Sequence, residues 1–226
     1  MNERSLHSAV KQWYALPGDQ FEVSVEDFVV DIVRGGLLIE IQTRNFAAIK
    51  QKLKRLLRKH CVRLVYPIAK RKWIVRVAQS GEILSRRRSP KKGRLVDLFY
   101  ELVRMPDMIK NQNFSLEILM IKEEEVRCND GKGSWRRRGV SIRDRKLIDV
   151  IGRVMFKDEK DFLRFLPGEL PEPFSNIDLS RSIGAPISLA RKITYCLKKI
   201  GAIVEVGKKG KALLFHILSL EASHQL

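Results

Sequence analysis

Three acidic side chains fall at positions that can place them side by side on a β-sheet. The Gly35-Gly36 pair is a favoured two-residue hairpin loop because glycine tolerates positive φ, and this loop sets Asp31 directly opposite Glu40. A preceding turn at Glu26-Asp27 would set Glu22 opposite Asp31, on the same face of the sheet. Opposed carboxylates repel each other, and a hard cation such as Mg²⁺ reverses that repulsion. The alternative to a metal site is an ordinary β-meander whose solvent-exposed face carries acids by chance.

The elements that must position these acids are three short strands between two helices. Strand-like runs cover 21–25, 28–33 and 37–42, and their other face is apolar. A helix-compatible segment at 5–15 precedes them, and apolar residues at helical spacing follow Asn45. Further strands at 62–68 and 73–77 complete the expected order α-β-β-β-α-β-β. The predicted core face comprises Phe21, Val23, Val25, Phe28, Val30, Ile32, Leu37, Ile39 and Ile41.

The Val30-Asp31 pair, followed after eight residues by Glu40-Ile41-Gln42, resembles the core motif of the PD-(D/E)XK nuclease superfamily. The element order resembles that core too, and the fold it implies is α/β (α+β), a restriction-endonuclease-like mixed sheet with flanking helices. The resemblance implies that Asp31 and Glu40 bind Mg²⁺ or Mn²⁺, which activates water for phosphodiester hydrolysis. It makes Gln42 the residue that orients the nucleophile, and Glu22 an additional acid.

The sequence departs from that family at Gln42, where the family has lysine. The change removes a positive charge that would stabilise hydroxide and the developing phosphate charge. Lys50 and Lys54 of the following helix could supply a lysine instead. The alternative interpretation of Gln42 is that the protein has lost catalysis and still binds nucleic acid. The chain is therefore either a Mg²⁺-dependent endonuclease or a non-catalytic nucleic-acid-binding subunit or transcription regulator with a degenerate nuclease fold.

The formal net charge of +18 is concentrated in one part of the chain. Between Lys50 and Arg94 there are 17 basic residues and one acid, Glu82. A local excess of this density is typical of a surface that contacts phosphate, although an acidic protein partner is an alternative. A second basic cluster follows Trp135 in a glycine-rich segment. The nucleic-acid contacts predicted in these two regions are Lys50, Lys54, Arg86, Arg87, Arg88, Arg136, Arg137 and Arg138.

Residues 157–218 resemble a winged helix-turn-helix. A short helix at 176–184 precedes a second helix at 186–200, and a hairpin with a turn at 207–210 follows. The resemblance implies that the second helix enters the major groove and that the hairpin is the wing. Many winged helices bind proteins instead, which is the alternative. The implied nucleic-acid contacts are Ser188, Arg191, Lys192 and Tyr195 on the helix, with Lys208 and Lys209 on the wing.

These patterns divide the chain into a nuclease-like domain at 1–127, a basic linker at 128–139 and a winged-helix domain at 140–226. We expect residues 80–94 to form a loop, and a Ser-x-x-Asp pattern predicts that a helix starts near Ser141.

The predicted partner is DNA, with RNA, a homodimer and a protein partner left open. The 44% hydrophobic content excludes disorder. The N-terminus leads into no apolar signal region, and no run approaches the roughly 20 residues that a membrane span needs. The expected location is therefore the cytoplasm, with no membrane partner.

Overall fold

The computed structural model describes residues 5–218. Two compact units interleave along the chain. The first comprises residues up to 44 together with 63–95 and 117–154, and the second comprises 45–62, 96–116 and the residues from 155 onwards. The chain is an α/β protein with a mixed sheet and flanking helices, as the sequence predicts.

Among residues 5–218, the first unit contains one α-helix and most of a seven-stranded sheet. Strand β5 pairs with β4, and the remaining strands lie in the order β1-β2-β3-β4-β6-β7. The long strands β4, β6 and β7 extend the sheet well beyond the three short strands predicted around the acids. The elements are α1 (Ser5–Tyr14), β1 (Gln20–Val25), β2 (Phe28–Arg34), β3 (Leu37–Ile41), β4 (Val62–Val77), β5 (Ile83–Arg88), β6 (Phe114–Asn129) and β7 (Val140–Phe156).

Both predicted strand registers are confirmed. Phe21 pairs with Ile32 across β1 and β2, and Ile32 pairs with Ile39 across β2 and β3. Gly35-Gly36 forms its loop with φ of 50° and 85°, and Glu26-Asp27 forms the other with φ of 47° and 66°. Positive φ at both loop residues matches the right-handed twist of the strands. In the loop between β1 and β2, Glu26 and Asp27 adopt it although neither is glycine.

The core of the first unit lies between α1 and one face of the sheet. Leu6, Val10 and Tyr14 of α1 pack on a buried cluster completed by Ile32, Ile39, Ile41, Val65, Leu119 and Ile121. Of the predicted core face, Val30, Ile32, Ile39 and Ile41 are buried, whereas Phe21 is 47% exposed because β1 is the edge strand. Strand β3 lies inside the sheet, and its Leu38 and Glu40 are buried as well.

The described part of the second unit contains four α-helices and a three-stranded sheet in the order β8-β10-β9. Four phenylalanine rings, Phe99, Phe156, Phe162 and Phe165, pack together in its interior. The elements are α2 (Phe46–Leu56), α3 (Phe99–Leu102), β8 (Phe174–Ser175), α4 (Asn176–Ser182), α5 (Ile187–Ile200), β9 (Ile203–Lys209) and β10 (Ala212–Ile217).

Two local predictions for the first unit are wrong. The helix expected near Ser141 is strand β7, and the two residues of the expected cap bind elsewhere. The Ser141 hydroxyl donates to Asp130, and Asp144 accepts from the Ser5 hydroxyl and from the Arg145 N–H. The loop expected at 80–94 contains β5, which folds back on β4 through a turn at Gly81. Residues 128–139 include the turn between β6 and β7. No helix among residues 5–218 is long and apolar enough to cross a membrane.

Candidate nucleic-acid interface

The three acids lie on adjacent strands, but helix α1 contacts two of them. The Asp31 carboxylate lies 3.2 Å from His7 Nε2 and accepts a 2.8 Å hydrogen bond from the Ile41 N–H. Glu22 forms an ion pair with Lys11. Glu40 is only 4% exposed. Lys11 and the Ile41 N–H therefore interact with Glu22 and Asp31, two of the three carboxylates for which the sequence predicts a metal ion.

The surroundings of the predicted metal ligands are defined by the backbone and by local hydrogen bonds. Within residues 5–218, no group of three or more histidine, cysteine, aspartate or glutamate side chains is arranged to hold a metal ion. Glu22 has a left-handed backbone, with φ of 53°, which interrupts the regular alternation of β1 at the position opposite Asp31. The Gln42 amide donates to the Arg44 carbonyl. Metal binding by Asp31 and Glu40, with the roles expected of Gln42 and Glu22, stays a prediction.

The basic residues of β5 are exposed. Arg86, Arg87 and Arg88 pair in register with Val75, Ile74 and Trp73 of β4. Arg86 donates a 2.6 Å hydrogen bond to Glu124 and lies over the Trp73 ring. Charged side chains on a strand of this kind also protect an exposed sheet edge from pairing with another chain. This surface is thus suited to an anion, but an edge-protecting role explains the same residues.

A buried acid–base network in β6 was not predicted. Lys72 Nζ lies 2.9 Å from a Glu123 oxygen and 3.0 Å from a Glu125 oxygen, and Arg145 donates to Glu123 at 2.6 Å. Burial raises the pKa of Glu125, but the hydrogen bond and charge of Lys72, joined by those of Arg127, outweigh it and leave that pKa below its usual value. The sequence signal is the run Glu123-Glu124-Glu125 within a strand that is otherwise largely apolar.

A related cluster anchors the end of α1. The Tyr14 hydroxyl donates to Glu117, which also accepts a 2.7 Å hydrogen bond from Arg153 Nε. Arg63 lies 3.1 Å from the Tyr14 oxygen. Burial raises the pKa of Tyr14, and the hydrogen bond to Glu117 raises it further. These contacts join α1 to three strands, so these residues stabilise the first unit.

Helix α5 of the second unit exposes a polar face. Its predicted apolar side is confirmed, because the residues assigned to it are buried. The opposite side presents Ser188, Arg191 and Tyr195, all exposed, with Lys192 half-buried beside them. A short turn sets α5 against α4, where Thr194 Oγ1 donates a 2.7 Å hydrogen bond to Asn176. The buried residues are Leu189, Ile193, Cys196, Leu197 and Ile200.

The hairpin that follows α5 adds basic residues to the same unit. Lys208 and Lys209 are exposed and pair with Leu213 and Ala212, so they lie on β9 and not in the turn. The predicted turn at 207–210 is therefore wrong, and the strands are joined at 210–211. A recess of about 450 Å³ is lined by residues of α4, α5 and the hairpin, among them Arg191, Tyr195 and Lys211.

The charge of this segment is hardly compensated. Residues 187–217 contain seven basic side chains and a single acid, Glu205. That acid is already paired with Lys198, at 2.8 Å. The exposed helix face and the hairpin thus combine hydrogen-bond donors, an aromatic ring and positive charge, which are the groups that bind phosphates and base edges.

The remaining predicted contacts are divided between the units. Lys50 Nζ donates to the Arg104 carbonyl at 3.0 Å, and Lys54 is exposed on α2, both in the second unit. Arg136 and Arg137 lie in a 3₁₀ turn between β6 and β7 in the first unit, and Arg138 follows with φ of 50°. Exposed basic residues thus occur in each of the two units.

Residues 4–157 match the model of a family described as Domain of unknown function (DUF8091). The chain is also similar to an "Uncharacterized protein" of Treponema pallidum (strain Nichols), at 30% identity over 214 residues that cover 94% of this chain and 84% of that protein. An alignment of that length extends past residue 157 into the segment that carries α4, α5 and the hairpin. No solved structure matches the chain. Because the family model matches well over half of the sequence, the chain belongs to the DUF8091 family.

Proposed function

We propose that the protein binds duplex DNA through helix α5 and the β9–β10 hairpin of its second unit. The observation that carries the proposal is the exposed face of α5, on which Arg191 and Tyr195 stand beside an almost uncompensated basic hairpin. In a helix-turn-helix the second helix of the pair lies in the major groove. Arginine there reaches guanine O6 and N7, and lysines near the groove contact phosphates.

The local structure supports this use of α5. Strand β8 pairs with β10, and α4 and α5 lie between β8 and the hairpin in the chain, which is the arrangement expected of a winged helix. Helix α4 is capped by Ser175, whose hydroxyl accepts from the Asp178 N–H while the Asp178 carboxylate accepts from the Ser175 N–H. The cap and the Thr194–Asn176 hydrogen bond hold α4 and α5 in one arrangement. A preformed face costs less conformational entropy on binding.

Arg191→Glu tests the proposal in the full-length protein. Fluorescence anisotropy with a labelled duplex of about 20 base pairs should show a loss of affinity of roughly tenfold to hundredfold, since one arginine contact to a base is worth about 1–3 kcal/mol. Lys160→Glu makes the same charge change at another exposed position of the second unit and should change the affinity by less than about threefold. Equal losses in both variants, or no duplex binding by the parent protein, would refute the proposal.

Phosphodiester hydrolysis with Mg²⁺ or Mn²⁺ at Asp31 and Glu40 stays a prediction from the family resemblance. The same duplex, incubated with either metal and then separated on a denaturing gel, tests it. Metal-dependent cleavage that Glu40→Ala abolishes would establish a nuclease. Binding that is indifferent to chelator, without cleavage, would favour the non-catalytic subunit or regulator.

A further inference from the structure

The turn between β6 and β7 presents an unusually exposed aromatic ring. Trp135 is 83% exposed, more than any other large hydrophobic side chain among residues 5–218. The Arg136 guanidinium lies 5.5 Å from its ring centroid. An exposed tryptophan among arginines is the combination on which unpaired bases stack, because every base has a π-face and the cations attract the backbone.

A basic pocket lies in the same part of the first unit. It has a volume of about 270 Å³, and five of the side chains that line it are basic: Arg44, Lys132, Arg137, Arg143 and Arg145. One acid, Asp144, also lines it, and its carboxylate already accepts from the Ser5 hydroxyl and the Arg145 N–H. The pocket is therefore strongly positive, and its charge fits a phosphate group.

The guanidinium group of Arg145, which lines the pocket, is only partly hydrogen-bonded. One of its terminal nitrogens donates to Glu123, but its Nε is buried and meets no acceptor in the described part of the chain. A buried donor without an acceptor costs about 1–3 kcal/mol. A phosphate oxygen reaches this nitrogen only if the Arg145 side chain moves, because the atom is buried, so Arg145 contributes to the pocket through its charge.

The loop that carries Trp135 is held in place by short-range contacts. The Asp130 carboxylate accepts from the Lys132 N–H at 3.0 Å and from the Ser141 hydroxyl at 2.7 Å. The Gly133 N–H donates to the Gly139 carbonyl at 2.9 Å, and a Cβ on Gly133 would lie only 2.0 Å from the Val140 oxygen. The backbones approach so closely that only glycine fits. Ring and pocket are thus presented by a defined turn.

We propose that this turn is a second site, which binds single-stranded nucleic acid with a phosphate in the basic pocket and an unpaired base on Trp135. The proposal rests on the proposed nucleic-acid function and adds a substrate class that α5 does not recognise. A duplex cannot stack on Trp135 except at its ends, since its bases are paired and stacked on each other. A single strand, a frayed end or an opened duplex supplies the free base.

Trp135→Ala tests the site by fluorescence anisotropy with labelled oligothymidylate and oligouridylate of about 12 nucleotides. We expect the variant to lose roughly fivefold to hundredfold in affinity for a single strand, as one stacked base contributes, while Trp135→Phe retains most of it. The two oligonucleotides distinguish DNA from RNA as the source of the strand. Lys132→Gln should lower the salt dependence by about one neutralised phosphate. Tyr100→Ala, an exposed aromatic of the second unit, is the matched control and should bind like the parent protein.

Tryptophan fluorescence measures base stacking on Trp135 directly. In the Trp13→Phe, Trp73→Phe protein, Trp135 is the only tryptophan, and saturation with oligothymidylate should quench its fluorescence. The proposal is overturned if Trp135→Ala binds single strands as the parent does, or if the quench is absent at saturation. Duplex binding that responds to Arg191→Glu but not to Trp135→Ala leaves the proposed function standing whatever the single-strand result. A parent protein that binds neither form overturns both.

Discussion

The salt dependence of duplex binding gives a quantitative prediction from the structure of the second unit. Of the seven basic residues on α5 and the hairpin, the four predicted nucleic-acid contacts are each taken to neutralise one phosphate: Arg191, Lys192, Lys208 and Lys209. Lys198 is omitted because it is paired with Glu205. Four neutralised phosphates give a slope of log Kobs against log salt of about −3.6. Raising the salt from about 50 to about 200 mM should then weaken binding about 150-fold.

The perturbation that tests this count is the double variant Lys208→Gln, Lys209→Gln. With two phosphate contacts removed, the slope should fall to about −1.8, and the same rise in salt should weaken binding only about 12-fold. Both lysines are exposed on a two-stranded ladder, so their replacement by another polar side chain should leave the fold intact. Anisotropy titrations at four salt concentrations, for parent and variant, supply the two slopes.

A matched control separates local contacts from total charge. Lys157→Gln with Lys160→Gln removes the same two charges elsewhere in the second unit and should leave the slope near −3.6. If the hairpin variant keeps the slope of the parent, the hairpin does not contact phosphate and the reasoning fails. If both double variants lower the slope equally, binding responds to overall charge and not to this face.

Three further predictions concern stability. Phe162→Ala should lower the free energy of unfolding by about 3–5 kcal/mol in urea titrations, because it empties a fully buried site among three other rings; a loss below about 1 kcal/mol would contradict this packing. Ser175→Ala removes the cap of α4 and should cost about 1 kcal/mol in the same titration, with no change expected if the cap contributes nothing. The folded-state pKa of Glu125 is lowered, so its stabilisation is present above the unfolded pKa of about 4.3 and is lost as the pH falls through the folded pKa. The free energy of unfolding of Glu125→Gln should therefore fall less steeply than that of the parent protein as the pH drops below about 4.3. Parallel curves of unfolding free energy against pH for the two proteins would show that Glu125 does not contribute to the acid sensitivity.

Local patterns predicted the parts of the fold that local chemistry determines. The Gly35-Gly36 loop sets the β2–β3 register, and a helical repeat of apolar residues sets the buried side of α5. The sequence near Ser141 predicts a helix, but the segment is strand β7. Pairing with β6 stabilises the strand, and this pairing cannot be recognised from the residues near Ser141 alone. The Ser141–Asp144 pattern would suit a cap, but contacts with Asp130 and Ser5 use both side chains.

The acids Glu22, Asp31 and Glu40 show which part of the candidate site could not be predicted from the sequence. The register was predictable, but the contacts of α1 with Asp31 and Glu22 were not, because they depend on how the helix lies on the sheet. The network around Glu123 was equally hidden, since Lys72 and Arg145 lie far from it in sequence. The pairs of Glu123 with Lys72 and with Arg145 form only when the strand order brings β4, β6 and β7 side by side.

These contacts also change how the positive charge is understood. The tract from Lys50 to Arg94 is the densest in bases, yet β6 supplies acids that neutralise several of its members, including Lys72 and Arg86. An ion-paired base gains less from a phosphate because it must first give up its carboxylate partner. Residues 187–217 have fewer bases but one acid, which leaves most of their charge available to a ligand. The smaller cluster is therefore the stronger candidate for binding duplex DNA, and the dense tract serves in part to hold the sheet together.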